Sequence, residues 1–305
     1  MRFSSPVLPS LSIALALAVL VSAPAATSRA QENHGPLHSQ FTFLPGRAPA
    51  LPLVAADQEP RVGIRKEIGS SKLILDIGST FDLVAYGPSD ERDGTLRAGL
   101  DLFTYALSTS VSGRRLQIDA VDGFFGGHLL YHLANSNPAL TLRLRIIHRS
   151  AHFIDGHYDN GLQQWRGGRA PIPFTRDFGD LLCAGGWNLG AIRLTVYSGL
   201  SYSTLVRPVE MRRLGTIHGL EFTSGDLLGE LFGRPWSAFG AFNLSVDGIP
   251  TYVGTGTLVT GVKFGELTGQ GIRVLVGYRT GLEPFGQYYD VRRNFWTLGL
   301  MLDVW

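Results

Sequence analysis

From about residue 61 to its end, the chain is a succession of segments about 9 to 14 residues long in which apolar and polar side chains alternate. Clusters of Gly, Asn, Asp and Pro divide them. An extended strand turns successive side chains to opposite faces, so each segment predicts a strand with one apolar and one polar surface. The pattern is clearest between Leu140 and Ser150, where Leu140, Leu142, Leu144 and Ile146 share one face and Thr141, Arg143, Arg145 and Arg149 the other. It recurs at 72–86, 95–106, 191–201 and 271–280, and helical periodicity is nearly absent.

Segment length separates two all-β classes. Strands of a soluble sandwich average roughly 5 or 6 residues, whereas a tilted strand crossing a bilayer needs roughly 9 to 11. The expected fold is therefore a transmembrane antiparallel β-barrel of about 12 strands, near 61–68, 72–86, 95–108, 122–133, 139–152, 174–185, 190–203, 212–223, 236–246, 254–264, 271–281 and 294–304. With both ends on the periplasmic side, the long connection 153–173 falls outside the cell, and the short ones at 134–138 and 186–189 fall inside. The last segment alternates through Trp296, Leu298, Leu300, Leu302 and Val304 before Trp305. It resembles the terminal signal by which bacterial outer-membrane barrels dock on their insertion machinery, although Trp305 is out of phase with the apolar face.

Three regions follow. Residues 1–30 read as a secretory signal peptide, with Arg2, an apolar run from Leu11 to Val21, and then small residues. Residues 31–60, with Pro36, Pro45, Pro49, Pro52 and Pro60, read as an extended periplasmic segment. Residues 61–305 form the barrel, and the expected location is the outer membrane of a Gram-negative-type bacterium. Removal of Arg2 and Arg29 from the 27 basic residues leaves 25, equal to the 25 acidic ones, so no sequence-wide basic field for nucleic acid exists. Cys183 stands alone, which excludes an intramolecular disulfide. The polar face carries both signs, among them Asp76, Arg97, Asp101, Arg143, Arg145 and Arg279, and predicts ion pairs filling a narrow lumen.

The residues that could carry chemistry cluster in one stretch. His148, Ser150 and His152 share the lipid-facing parity of Leu142, Leu144 and Ile146, with Asp155 and His157 just beyond. A histidine beside a serine can act as general base for attack on an ester carbonyl, with Asp155 or Asp177 orienting the ring. Asp177 reaches the row if Asp177, Gly179, Leu181 and Cys183 also face lipid. Two other readings stand beside this one. The same groups at headgroup depth can simply bind water and lipid phosphate, and His148, His152, His157 and Asp155 suit a zinc-like ion by residue type.

Two resemblances attach to these residues. The stretch Pro52 to Arg61 and the stretch His148 to Asp155 resemble the P-L-x-A-D-x-x-E-P and H-x-S-x-H-x-x-D segments of an uncharacterised bacterial family with a domain of unknown function. The likeness extends to Gly286-Gln287-Tyr288-Tyr289 and implies an outer-membrane barrel without an assigned activity. An extra Ala in the first stretch, Ala151 and Asp177 depart from that pattern. His148-x-Ser150 is also similar to the H-x-S that outer-membrane phospholipase A and the lipid A deacylase carry on a lipid-facing strand; Ala151 replaces the Asn that often follows there. The sequence thus predicts an outer-membrane barrel of structural or small-solute transport role, with an outer-leaflet hydrolase of phospholipid or lipid A acyl esters as the alternative. Its expected partners are outer-membrane lipid and, during assembly, the insertion machinery, and the cofactor is unknown.

Overall fold

The computed structural model describes residues 39–45, 53–88, 93–111, 115–133, 136–267 and 269–304. The expected signal peptide and Trp305 lie outside the described residues. Twelve strands form the body: β1 Val62–Glu67, β2 Lys72–Pro88, β3 Asp93–Val111, β4 Arg115–Leu133, β5 Ala139–Phe153, β6 Phe174–Leu189, β7 Ile192–Arg207, β8 Leu214–Thr223, β9 Arg234–Gly248, β10 Tyr252–Gly265, β11 Gly271–Leu282 and β12 Arg292–Asp303. Each pairs antiparallel with the next, and β12 returns to β1 from Thr297↔Glu67 to Leu302↔Val62. The sheet closes on itself, which leaves these strands no free edge. The fold is an all-β, 12-stranded antiparallel barrel.

Most strand limits fall within a few residues of those expected. The main exception is β4, which starts at Arg115 rather than near residue 122 and extends the ladder with β3 to Val111↔Arg115. A register shift between Leu107 and Ser108 breaks the strict alternation there, which is why the sequence hides this part of the hairpin. The turn expected at 186–189 falls instead after Leu189, because β6 and β7 pair down to Ile192↔Leu189. A further strand, Ser39–Phe43, pairs with Val84–Pro88 of β2, beyond the reach of the short β1.

The barrel has two unlike ends. At the terminal end the chain enters at Val62 and leaves after Asp303; at the loop end lie the connection 154–173 and the loop 283–291. Alternation is realised as read. On β5, Arg143, Arg145, Ile147 and Arg149 are buried inward, while Leu142, Leu144 and Ile146 are exposed outward, Ile146 at 70%. Outward aromatic pairs sit near both rims. Tyr278 and Trp296 lie 4.8 Å apart toward the loop end, and Trp236 and Phe264 lie 6.3 Å apart toward the terminal end. An apolar band between aromatic girdles is the surface that lipid requires.

The periplasmic placement expected for all of 31–60 does not hold for its last residues. Residues 53–60 enter the barrel and cross its lumen: Leu53, Ala55, Ala56 and Glu59 are between 0% and 3% exposed. Ala55 packs on Phe239, Val259 and Leu275 of one wall, and Ala56 on Leu182 and Tyr197 of another. The physical reason is charge. Arg143 donates Nη1 and Nη2 to Glu59 at 2.9 and 2.6 Å, Arg145 Nη1 donates to Gln58 O at 3.0 Å, and Arg279 Nη1 donates to Asp57 at 2.7 Å. Val54 N–H donates to Glu221 Oε1 at 2.5 Å, and Tyr105 OH donates to Glu59 O at 2.5 Å. Arg61 folds back to bind the carbonyls of Val54, Ala56 and Glu59, so the segment holds its own compact shape. Other inward charges pair across neighbouring strands, for example Arg65–Asp76 at 2.7 Å and Arg97–Asp82 at 2.9 Å.

Parity makes neighbouring residues of β5 behave differently. Leu144→Arg should cost about 2–4 kcal/mol of folding into phospholipid vesicles, because a cation replaces a lipid-facing leucine. Arg143→Leu should leave insertion competence intact but destabilise the folded barrel by about 3–5 kcal/mol, because buried Glu59 keeps only its 3.4 Å contact to Arg145. Urea unfolding from vesicles separates the two, and equal vesicle-dependent losses would contradict the assigned faces.

Candidate functional site

β5 presents its two chemistries on opposite faces. Outward, His148 lies directly across from Asp177 of β6, and its Nδ1 meets Asp177 Oδ1 at 2.6 Å. This is the contact expected if Asp177 shared the lipid-facing parity, and it does. On the other side the imidazole packs against Phe125 of β4, ring centroids 4.7 Å apart. The His148 and Asp177 side chains are 32% and 41% exposed, so the pair is reachable from the surrounding medium. His148 is five residues from the loop-end limit of its strand at Phe153, near the depth of Trp296 and Tyr278 on theirs.

Ser150 follows on the same row, one step closer to the loop end. It pairs with Gly123 on β4 and Thr175 on β6. A Cβ added to Gly123 would stand 3.8 Å from Ser150 Oγ, so the glycine leaves a notch beside the hydroxyl. Ser150 and His148 make no hydrogen bond to each other here. Thr175 Oγ1, on the far side of Ser150, is buried and without a partner. The arrangement offers a carboxylate-oriented imidazole, a hydroxyl on the same face and an open notch. Gly123, Phe125 and Thr175 were not foreseen; the register of β4 and β6 against β5 was the missing information.

The remaining candidates separate from this row. His152 is exposed on the outward face, but His157 belongs to the inner side, 2% exposed and stacked on Phe153 at 3.6 Å. His157 Nδ1 is bonded to Asp119 at 2.5 Å and its Nε2 to Arg169 O at 2.9 Å, while Tyr288 OH donates to the other Asp119 oxygen at 2.6 Å. This ring pins the 154–173 connection to the barrel and has no nitrogen left for an ion. The metal set proposed from His148, His152, His157 and Asp155 is thus divided between two faces, and no group of three such ligands assembles among the described residues. Asp155 lies in the single turn Asp155–His157, and Asp177 takes the position beside His148.

Inward, the same strand holds down a cap. Arg149 donates Nε and Nη2 to Asp122 at 2.9 and 2.5 Å and Nη2 also to Pro284 O at 2.6 Å. Gly286 N–H donates to Asp122 Oδ2 at 2.9 Å, and Gln287 Nε2 donates to Ala151 O at 2.7 Å. Loop 283–291 is thereby drawn over the mouth, with Phe285 1% exposed beneath it. Outside the strands, Tyr289 OH donates to Glu210 Oε1. That bond holds Glu210 below the usual carboxylate range, while burial and then the bond push Tyr289 up to about 12. Of the three stretches singled out in the sequence, the described part of the first, 53–61, crosses the lumen, 286–289 caps it, and 148–155 joins the cap to the outward row.

No family model matches the chain, and no curated protein matches it. Among solved structures, the beta domain of the Bordetella autotransporter Brka is similar at 15% identity over 79% of this chain and 95% of that one, with TM-score 0.44. OmpT, an outer membrane protein of Vibrio cholerae, is similar at 10% identity over 79% and 94%, with TM-score 0.34. The chemistry of the site is therefore read from this chain's own residues.

The lumen pairs generate a direct expectation. Glu59→Ala should destabilise the barrel by about 3–5 kcal/mol, because Arg143 and Arg145 keep their charges and lose their shared carboxylate. Adding Arg143→Ala should recover part of that loss rather than double it, as for residues acting as a unit. Equilibrium urea unfolding of the two single variants and the double variant gives the coupling; simple additivity would contradict the assignment.

Proposed function

We propose that this protein is an outer-membrane barrel that hydrolyses acyl esters of outer-leaflet lipid, with Ser150 as nucleophile, His148 as general base and Asp177 as the group that orients the imidazole. The observation that carries the reading is the 2.6 Å contact between His148 Nδ1 and Asp177 Oδ1 on the outward face, with Ser150 next on the same row. The apolar outward band and its aromatic girdles support membrane insertion. In this reading the terminal end faces the periplasm, the loop end faces outward, and the insertion machinery recognises β12. Lumen-crossing residues 53–61 give the small-solute channel reading less support.

The chemistry follows from the roles. With Nδ1–H held by Asp177, Nε2 of His148 is the basic nitrogen and takes the Ser150 proton as Oγ attacks the ester carbonyl. The tetrahedral adduct collapses, the C–O bond to the lipid alcohol breaks, and His148 returns the proton to the leaving oxygen. Water, deprotonated by His148, then attacks the acyl-serine; the C–Oγ bond breaks, His148 returns the proton to Ser150 Oγ, and the fatty acid leaves. In an unliganded enzyme the serine–histidine bond is often long and tightens only with substrate bound. A site on the barrel's outer wall takes its acyl chains directly from the bilayer.

Ser150→Ala and His148→Ala should each lower fatty-acid release from phospholipid or lipid A in mixed micelles by roughly three orders of magnitude or more, since either loss disables the same proton transfer. Heat-modifiable gel migration should stay that of the wild type. His152→Ala should leave the rate nearly unchanged. Wild-type protein that hydrolyses no acyl ester, with or without calcium, would overturn the proposal.

A further inference from the structure

Between the lumen-crossing segment and the cap lies a cavity of about 110 Å³, floored by Asp57 and Gln58 and roofed by Phe285, Gly286 and Tyr289. Five arginines from three strands line it, and Arg143, Arg149, Arg176 and Arg279 are each anchored by an acidic partner without spending all their N–H groups. Arg143 gives both terminal nitrogens to Glu59, and its buried Nε has no acceptor. Arg149 uses Nε and Nη2, Arg176 donates Nε to Ser203 and Nη1 to Asp247, and Arg279 uses Nε and Nη1. The third nitrogen of each is unspent. Asn243, fully buried in the same wall, accepts from Tyr197 OH at 3.1 Å and leaves Nδ2 without a partner. That contact reaches across β8 because residue 219 is glycine; a Cβ there would lie 2.3 Å from the Tyr197 hydroxyl.

A surplus of donors selects the occupant. Asp57 has both oxygens on Arg279, and Asp180 has both on Arg145. Asp247 and Glu283 also line the cavity, each bonded to an arginine through one oxygen, so five arginines face four carboxylates. An oxyanion only accepts and presents several lone pairs, which suits guanidinium and amide donors already fixed in place. The volume exceeds the roughly 10–15 Å³ that one water needs several times over, which leaves room for a phosphate or a short carboxylate. We infer that this chamber is a binding site for one small oxyanion. The site is separate from the outward Ser150 row and stands whether or not that row is catalytic.

The test uses the full mature chain in detergent micelles, titrated calorimetrically with inorganic phosphate and, separately, with succinate. One of the two should bind saturably with one site per chain, phosphate if the donors surround a tetrahedral ion and succinate if they match planar carboxylates. Arg176→Lys keeps the charge but loses the planar fork and should weaken binding about tenfold or more. Asn243→Asp places a carboxylate in the chamber and should abolish it, while His152→Ala on the outward face should change nothing. Each variant is first checked for heat-modifiable migration. No saturable binding of either anion, or binding indifferent to both chamber substitutions, would show that the chamber holds only water and would overturn the inference.

Discussion

Arg143 and Arg145 sit two residues apart on one strand and both point into the barrel, where a cation without a carboxylate partner is strongly unfavourable. Asp180 on the neighbouring strand serves Arg145, and Glu59 serves both. Glu59 belongs to no barrel strand. Its carboxylate reaches the arginines only when the chain before β1 enters the lumen, so electroneutrality of β5 requires residues 53–60 inside. Once there, the segment supplies apolar side chains to two walls and, through Asp57, a carboxylate to Arg279 of the first of them.

The same alternation that forces charge inward on β5 forces His148, Ser150 and His152 outward. A strand has no third side, so polar residues among Leu142, Leu144 and Ile146 must meet the surrounding medium. At His148 the cost is met by Asp177 across the ladder and by Phe125 beneath the ring. The inward residues between them, Arg149 and Ala151, tie down the cap through Pro284 and Gln287. One short stretch thus connects the outward row to closure of the mouth. A change in cap packing would be felt at Ser150 through the backbone of a single strand.

The architecture was legible because period-2 alternation is a local property, and β5, β11 and β12 each declare both faces within a dozen residues. The Asp177 approach was legible for the same reason, since parity and antiparallel pairing are enough to place it. What the sequence did not disclose depends on distant pairing. Residues 53–60 carry no periodicity, their prolines read as linker, and Glu59 meets Arg143 84 residues later in the chain. One signal was available: the inward arginines outnumber the carboxylates within reach on adjacent strands, so acids elsewhere had to enter. His157 misled because residue type alone cannot tell an ion ligand from a ring already bonded at both nitrogens.

The central claim is that the barrel is filled by its own N-terminal segment and keeps its accessible chemistry on the outward wall. Its most direct test is chemical access to Ala55, which is 2% exposed between β9, β10 and β11. In a Cys183→Ser background, Ala55→Cys in the barrel reconstituted in vesicles permeable to the reagent should resist a polar maleimide and react only after heat unfolding. Labelling of the folded barrel as fast as that of the unfolded chain would place the segment outside the lumen and contradict the account.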